Sequence, residues 1–114
     1  MDIADWFQVR FDEAGIYRSA QPPGAGALSD HVRWADIIRV CLEVEDFIST
    51  EALYIFTRER PESYAVPMQA GGGPELLQAL IERGLFDAQM AIEAASAEAG
   101  LFRWPEGAQK DLAD

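Results

Sequence analysis

Cysteine and histidine are nearly missing from this chain. Among 114 residues there is one cysteine, Cys41, and one histidine, His31. A single cysteine excludes an internal disulfide and a cysteine-rich zinc site. We therefore expect a protein of a reducing compartment, the cytoplasm, that holds no metal and no cofactor.

Long apolar runs are also missing. The longest fall far short of the ~18 residues that cross a bilayer. The first ten residues, MDIADWFQVR, lack both the basic and the apolar region of a signal peptide. The sequence predicts a soluble protein without membrane insertion.

Basic residues are few, with 9 Lys and Arg against 20 Asp and Glu, for a net charge of -11. Binding to nucleic acid through phosphates needs a basic face, so a nucleic-acid partner is not expected. An anionic membrane surface is disfavoured for the same reason. The charge is typical of a protein that is kept soluble by repulsion or that binds a basic partner.

Apolar residues make up 49% of the chain, which is enough for one globular core at this length. We predict a single domain over residues 1–104, followed by a flexible tail over residues 105–114. Two-residue alternation of apolar and polar side chains predicts strands over the first two thirds of the domain. These strands cover residues 7–11, 16–20, 31–34, 38–44, 53–58 and 64–68.

The longest predicted strand, 38–44, has two different faces. Its apolar face comprises Ile38, Val40, Leu42 and Val44. The opposite face comprises Arg39, Cys41 and Glu43. A corner at 34–37 precedes this strand, and a turn at 45–50 follows it.

The spacing of apolar residues becomes helical after Gly71, Gly72 and Gly73, which we interpret as a flexible break. One helix is expected from Pro74 to Gly84, and a second, capped by Asp87, through residue 99. The apolar face of the second helix is mostly alanine, with Met90 and Ile92. Residues 101–104 form a last short strand.

Strands followed by helices, with short turns between the strands, indicate an α+β domain. We expect a bent antiparallel sheet or small open barrel followed by C-terminal helices. Residues 32–84 carry a Trp-x-x-Ile corner, a long strand, two more strands and an apolar helix. This layout resembles bacterial pleckstrin-homology-like (PH-like) domains, in which a helix plugs one end of a strongly bent sheet.

The resemblance implies a binding module for phosphoinositides, peptides or proteins more often than an enzyme. Lipid binding in that family usually depends on basic residues around the first hairpin loop. Here that loop, 12–15, reads Asp-Glu-Ala-Gly. The resemblance therefore carries no lipid site over to this chain.

Two other motifs offer little chemistry. The three glycines lack the Lys and Ser/Thr of a phosphate-binding loop, which favours a plain linker. His31 and Cys41 are the residues of a catalytic dyad only if the fold brings them together, and no motif surrounds Cys41. A packing role for each is the more ordinary interpretation.

The densest acidic cluster comprises Glu43, Glu45, Asp46 and Glu51. It lacks the spacing of a calcium loop, so we interpret it as a solvated turn or as a surface that contacts a partner. We expect a non-enzymatic module that binds a protein or a peptide. In one form of this hypothesis the partner is basic. Alternatives are an immunity- or antitoxin-type protein that neutralises a basic toxin and, less favoured, a small hydrolase that uses His31 and Cys41. A homo-oligomer is also left open.

Overall fold

The computed structural model describes residues 2–45, 50–96 and 99–105, with seven strands and two α-helices in these ranges. Short 3-10 helices occupy Ile3–Asp5 and Trp34–Asp36. The strands are β1 Phe7–Phe11, β2 Gly15–Ala20, β3 Leu28–Arg33, β4 Ile37–Glu45, β5 Thr50–Thr57, β6 Arg60–Pro67 and β7 Gly100–Trp104. The helices are α1 Gly73–Glu82 and α2 Ala88–Ser96.

The strands form two open sheets. The first has the order β1-β2-β3 and the second the order β6-β5-β4-β7, and every pairing between these strands is antiparallel. The predicted α+β class, with a bent antiparallel sheet before the helices, is therefore confirmed. The predicted last strand is confirmed as well, and it pairs with β4 rather than with a neighbour in sequence.

The main core lies where the two sheets and the two helices meet. Its largest fully buried side chains are Ile16, Leu42, Leu53, Ile55, Leu76, Leu80 and Phe86. A buried arginine, Arg18, makes hydrogen bonds that connect the two sheets. Its guanidinium holds the Asp30 carboxylate on β3 and donates from Nη1 to the carbonyl oxygen of Ala65 on β6, at 2.8 Å.

The starts of the helices follow the local signals, whereas the predicted end of the second helix at residue 99 is wrong, since residue 99 is not helical and Gly100 begins β7. Pro74 lies in the first turn of α1, and the backbone N–H of Met90 donates to Asp87 Oδ2 at 2.9 Å, which confirms the predicted cap of α2. Pro67 ends β6, which is an edge strand, as its missing N–H requires.

Two apolar residues lie elsewhere than predicted. An irregularity in the pairing between Ile37 and Arg39 shifts the alternation of β4, so that Ile37 is buried while Ile38 is 41% exposed. On α2, Ile92 is 63% exposed, and Met90 and Ala94 are the buried residues. Local spacing does not reveal a shift of register at a strand's start.

The glycine run is not the flexible break that the sequence indicated. Gly71 exchanges two backbone hydrogen bonds with β1, to Phe7 O at 2.9 Å and from the N–H of Val9 at 2.7 Å. Gly72 has a φ of 86°, and a Cβ at this residue would overlap the carbonyl oxygen of Val9. The run is fixed against β1 because only glycine permits so close an approach of two backbones.

Candidate functional site

The face of the four-stranded sheet that points away from the core carries a groove of about 330 Å³. We call it the sheet groove. Its lining comprises Arg39, Cys41 and Glu43 from β4, Tyr54 and Phe56 from β5, and Leu101 and Arg103 from β7. The three strands bring these side chains together because they are direct cross-strand neighbours.

The register places the lining residues in rows across the sheet. Cys41 lies between Tyr54 and Arg103. Glu43 has Leu101 as its neighbour on β7, and Arg39 has Phe56 on β5. Arg39 and Glu43 are four positions apart along the extended strand, about 13 Å at the usual rise per residue. The groove therefore has a positive end and a negative end.

Cys41 forms the floor of the sheet groove and is only 4% exposed. Burial raises the pKa of its thiol, while the charges of Arg39 and Arg103 act in the opposite direction. The net effect favours the protonated thiol, which is the opposite of what an activated nucleophile requires.

Arg39 is the most unusual residue of the groove. Its Nε and Nη2 atoms are buried and have no hydrogen-bond partner in the part of the chain that the structure describes. Its guanidinium carbon lies 5.9 Å from the centre of the Phe56 ring. A buried donor without a partner costs about 1–3 kcal/mol, so two in one side chain require an explanation.

Glu43 and Leu101 occupy the other end. The hydroxyl of Tyr54 donates to Glu43 Oε1 at 3.0 Å, which holds the carboxylate in place on the half-buried surface. Leu101 is 48% exposed beside it on the edge strand β7. An anchored acid and an exposed aliphatic side chain thus lie next to each other.

The acidic cluster predicted as a partner surface is divided by the fold. Glu43 lies on the outer face of the sheet, whereas Glu51 pairs with Val44, whose side chain belongs to the core face. Directly paired residues of antiparallel strands point to the same side, so Glu43 and Glu51 are on opposite faces. Asp46 and the side chain of Glu45 lie outside the described residues.

His31 and Cys41 lie on different sheets. The His31 ring stacks on Tyr17, with ring centres 4.4 Å apart, and Arg10 lies over the same tyrosine at 4.3 Å. Cys41 contributes instead to the sheet groove on β4. The structure does not assemble these two residues into a dyad.

The sequence predicted the central strand of the sheet groove but not its two flanks on β5 and β7. The alternation in 38–44 had already grouped Arg39, Cys41 and Glu43 on the face opposite the apolar one. Leu101 and Arg103 were missed because they come from β7, about sixty residues later in the chain. Only the pairing of β7 with β4 places them beside the groove.

Two further findings concern metals and membranes. Within residues 2–45, 50–96 and 99–105, no group of three or more His, Cys, Asp or Glu side chains is arranged to hold a metal ion. Neither of the two described α-helices has the length and apolar character needed to cross a membrane.

Comparison with known proteins gives no assignment. No protein-family model, no curated protein and no solved structure matches this chain significantly. The resemblance to PH-like domains therefore stays a prediction, and the function has to be argued from the geometry of the sheet groove.

Proposed function

We propose that this chain is a non-enzymatic binding module of PH-like type that holds a peptide segment of a partner protein in the sheet groove. One observation carries the proposal: the outer sheet face joins aromatic, aliphatic and arginine side chains around a single concave surface. Aromatic residues and arginine are enriched where proteins bind one another, and a groove gives them a common contact.

The position of β7 supports an extended peptide as the ligand. β7 is the last strand in the order β6-β5-β4-β7, so a partner strand beside it would extend the sheet. Alternate side chains of such a strand would project over the outer face, next to Leu101 and Arg103. Backbone hydrogen bonds would then supply affinity, and the groove would supply specificity.

The test begins with selection of peptides from a random display library against the full chain. Binding of the selected peptides is measured by fluorescence anisotropy and mapped by NMR amide shifts. We expect the largest shifts in β4 and β7 and a loss of more than about tenfold in affinity for Leu101→Glu, which buries a charge against the ligand.

Ile92→Glu is the matched control, because Ile92 is an exposed aliphatic residue on α2. It should bind the selected peptides as tightly as the unsubstituted chain does. The proposal is wrong if no peptide is selected, if the shifts concentrate in the three-stranded sheet, or if Leu101→Glu and Ile92→Glu behave alike.

A further inference from the structure

Four arginines of this chain can be compared through one edge of their planar guanidinium, the edge formed by Nε and Nη2. Arg60 uses this edge on two backbone carbonyl oxygens, those of Glu62 and Ser63, both at 3.1 Å. Arg18 uses this edge to hold both carboxylate oxygens of Asp30. Arg33 uses it on Asp36, with Nε to Oδ2 at 2.9 Å and Nη2 to Oδ1 at 3.2 Å. The fourth, Arg39, has the same two nitrogens buried but unpaired within the described residues.

The geometry of that edge calls for two acceptor oxygens side by side. Two parallel N–H donors match the two oxygens of a carboxylate, which is why such pairs are bidentate and strong. Among the described residues this edge holds a carboxylate twice, at Arg18 and Arg33, and two carbonyl oxygens once, at Arg60. A carboxylate would satisfy both Arg39 donors at once and, unlike two carbonyl oxygens, would also bring the opposite charge.

The surroundings of Arg39 strengthen the argument. Phe56 and Cys41 provide apolar surface next to it, which lowers the local dielectric and makes a charge-assisted hydrogen bond worth more than in water. Arg103 adds a second positive charge on the other side of Cys41, and both arginines act electrostatically on the same thiol. This end of the groove is thus locally positive in a protein that is acidic as a whole.

We propose that the sheet groove binds the C-terminal carboxylate of a peptide through the Nε and Nη2 donors of Arg39, which are buried in the free chain and turn outward when the ligand binds, with Arg103 as a second cation. This assignment rests on the proposed function and names the chemical group that the groove recognises.

Charge favours a chain terminus over an acidic segment. The net charge of -11 repels a peptide that carries several acids, whereas a C-terminus brings a single negative charge. The residues before the terminus would then lie along the strand direction toward Glu43. Because Glu43 is about 13 Å away, a basic side chain three or four residues before the terminus suits that end of the groove.

The experiment uses small probes on the full chain. N-acetyl-leucine carries a terminal carboxylate, and N-acetyl-leucinamide lacks it. N-acetyl-glutamic acid α-amide has an amidated terminus and carries a carboxylate only on its side chain. The readouts are the NMR signal of the Arg39 Nε–H and the dissociation constant. We expect a saturable shift with N-acetyl-leucine, none with its amide, and binding of the glutamate probe weaker by about tenfold or more.

Variants distinguish a bidentate hydrogen-bonded contact from a general electrostatic attraction to positive charge. Arg39→Lys keeps the charge but loses the fork, and Arg39→Gln loses both, so each should weaken N-acetyl-leucine binding by about tenfold or more. Arg58→Gln removes the same charge from an exposed site on the turn after β5 and should leave binding unchanged. An unaltered amide spectrum outside the groove establishes that each variant is folded.

The outcomes distinguish this inference from the proposed function. Selected peptides that bind equally well with free and amidated C-termini, or an Arg39→Lys variant that binds N-acetyl-leucine like the parent, would overturn the carboxylate site and leave peptide binding standing. Equal binding of the glutamate probe would overturn the assignment to a terminus. Saturable N-acetyl-leucine binding at Arg39 without any selected peptide would overturn the proposed function instead.

Discussion

Arg18 shows how a single charged residue can be buried in this protein. It is 8% exposed, and its partners are the Asp30 carboxylate and the carbonyl oxygen of Ala65, while the Tyr64 ring lies 5.1 Å away. All its contacts cross between strands, and two of them, to Ala65 and to Tyr64, cross between the sheets. A buried charge of this kind is tolerated because its donors are satisfied.

Replacing Arg18 should therefore destabilise the fold. Arg18→Met leaves Asp30 without its partner, and we expect the free energy of unfolding to fall by about 2–4 kcal/mol, less than for a fully buried pair because Asp30 is 28% exposed. The double variant Arg18→Met with Asp30→Leu should recover part of this loss. Urea denaturation of the parent, Arg18→Met and the double variant measures both effects. A double variant that is less stable than Arg18→Met would contradict the explanation.

Asp36 predicts a pH dependence with a definite sign. The hydrogen bond from Arg33 is the main cause that holds the pKa of Asp36 below its ordinary value of 3.8. The carboxylate therefore contributes stability above about pH 4, and the contribution is lost as the pH falls through the lower folded pKa. The free energy of unfolding should decline in acid, and less steeply for Asp36→Asn.

Asp12 provides a comparison for this pH test. Hydrogen bonds from the backbone of the first hairpin turn, that of Ala14 first, lower its pKa as well. Asp12→Asn should remove a separate part of the acid decline, so that the double variant is the flattest. Identical slopes for Asp36→Asn and the parent between about pH 5 and pH 2.5 would show that the Arg33 contact carries no linkage.

At the scale of elements, the segment between β6 and α1 decides how the helix meets the first sheet. Gly71 and Gly72 lie against β1, and Gly73 approaches the carbonyl oxygen of Met68 so closely that a Cβ would be 2.5 Å from it. The start of α1 is thereby held at one position relative to the hairpin.

Substitution in this segment should cost more than in an open loop. Gly72→Ala introduces both an unfavourable positive φ and a clash with Val9, so we expect a loss of more than about 2 kcal/mol in thermal or urea unfolding. Gly26→Ala is the control, since a Cβ there meets nothing within 4 Å. If the two variants are equally stable, the segment is the flexible linker that the sequence indicated.

The excess of acidic residues affects the stability of the whole molecule. The net charge of -11 on a chain of 114 residues produces self-repulsion that opposes the compact state. Raising the ionic strength from about 10 mM to about 150 mM shortens the Debye length from ~30 Å to ~8 Å, and should raise the melting temperature.

Two exposed helix residues offer the matched control for the salt response. Glu82→Lys and Glu93→Lys together change the net charge from -11 to -7, and both side chains are exposed. The double variant should gain less from salt than the parent, as followed by circular dichroism. A parent whose melting temperature does not change with salt would show that its charges are too well dispersed to repel.

Much of the architecture could be predicted because its signals are local. The strand over 7–11, Pro74 in the first turn of α1, the Asp87 cap and the corner before β4 each depend on a few neighbouring residues, and each was confirmed, although Phe11 at the end of β1 is exposed. These features follow from backbone sterics and from the period of each element, which the sequence carries directly.

The sheet groove could not be predicted as a whole, because it depends on contacts between distant parts of the chain. The pairing of β7 with β4, the shifted register after Ile37 and the separation of Glu43 from Glu51 all arise from how strands meet. The same non-local packing leaves Nε and Nη2 of Arg39 without a hydrogen-bond partner among the described residues. By itself the sequence determined the elements and one face of β4, and only tertiary packing decided which side chains share that face, since strand pairing is non-local.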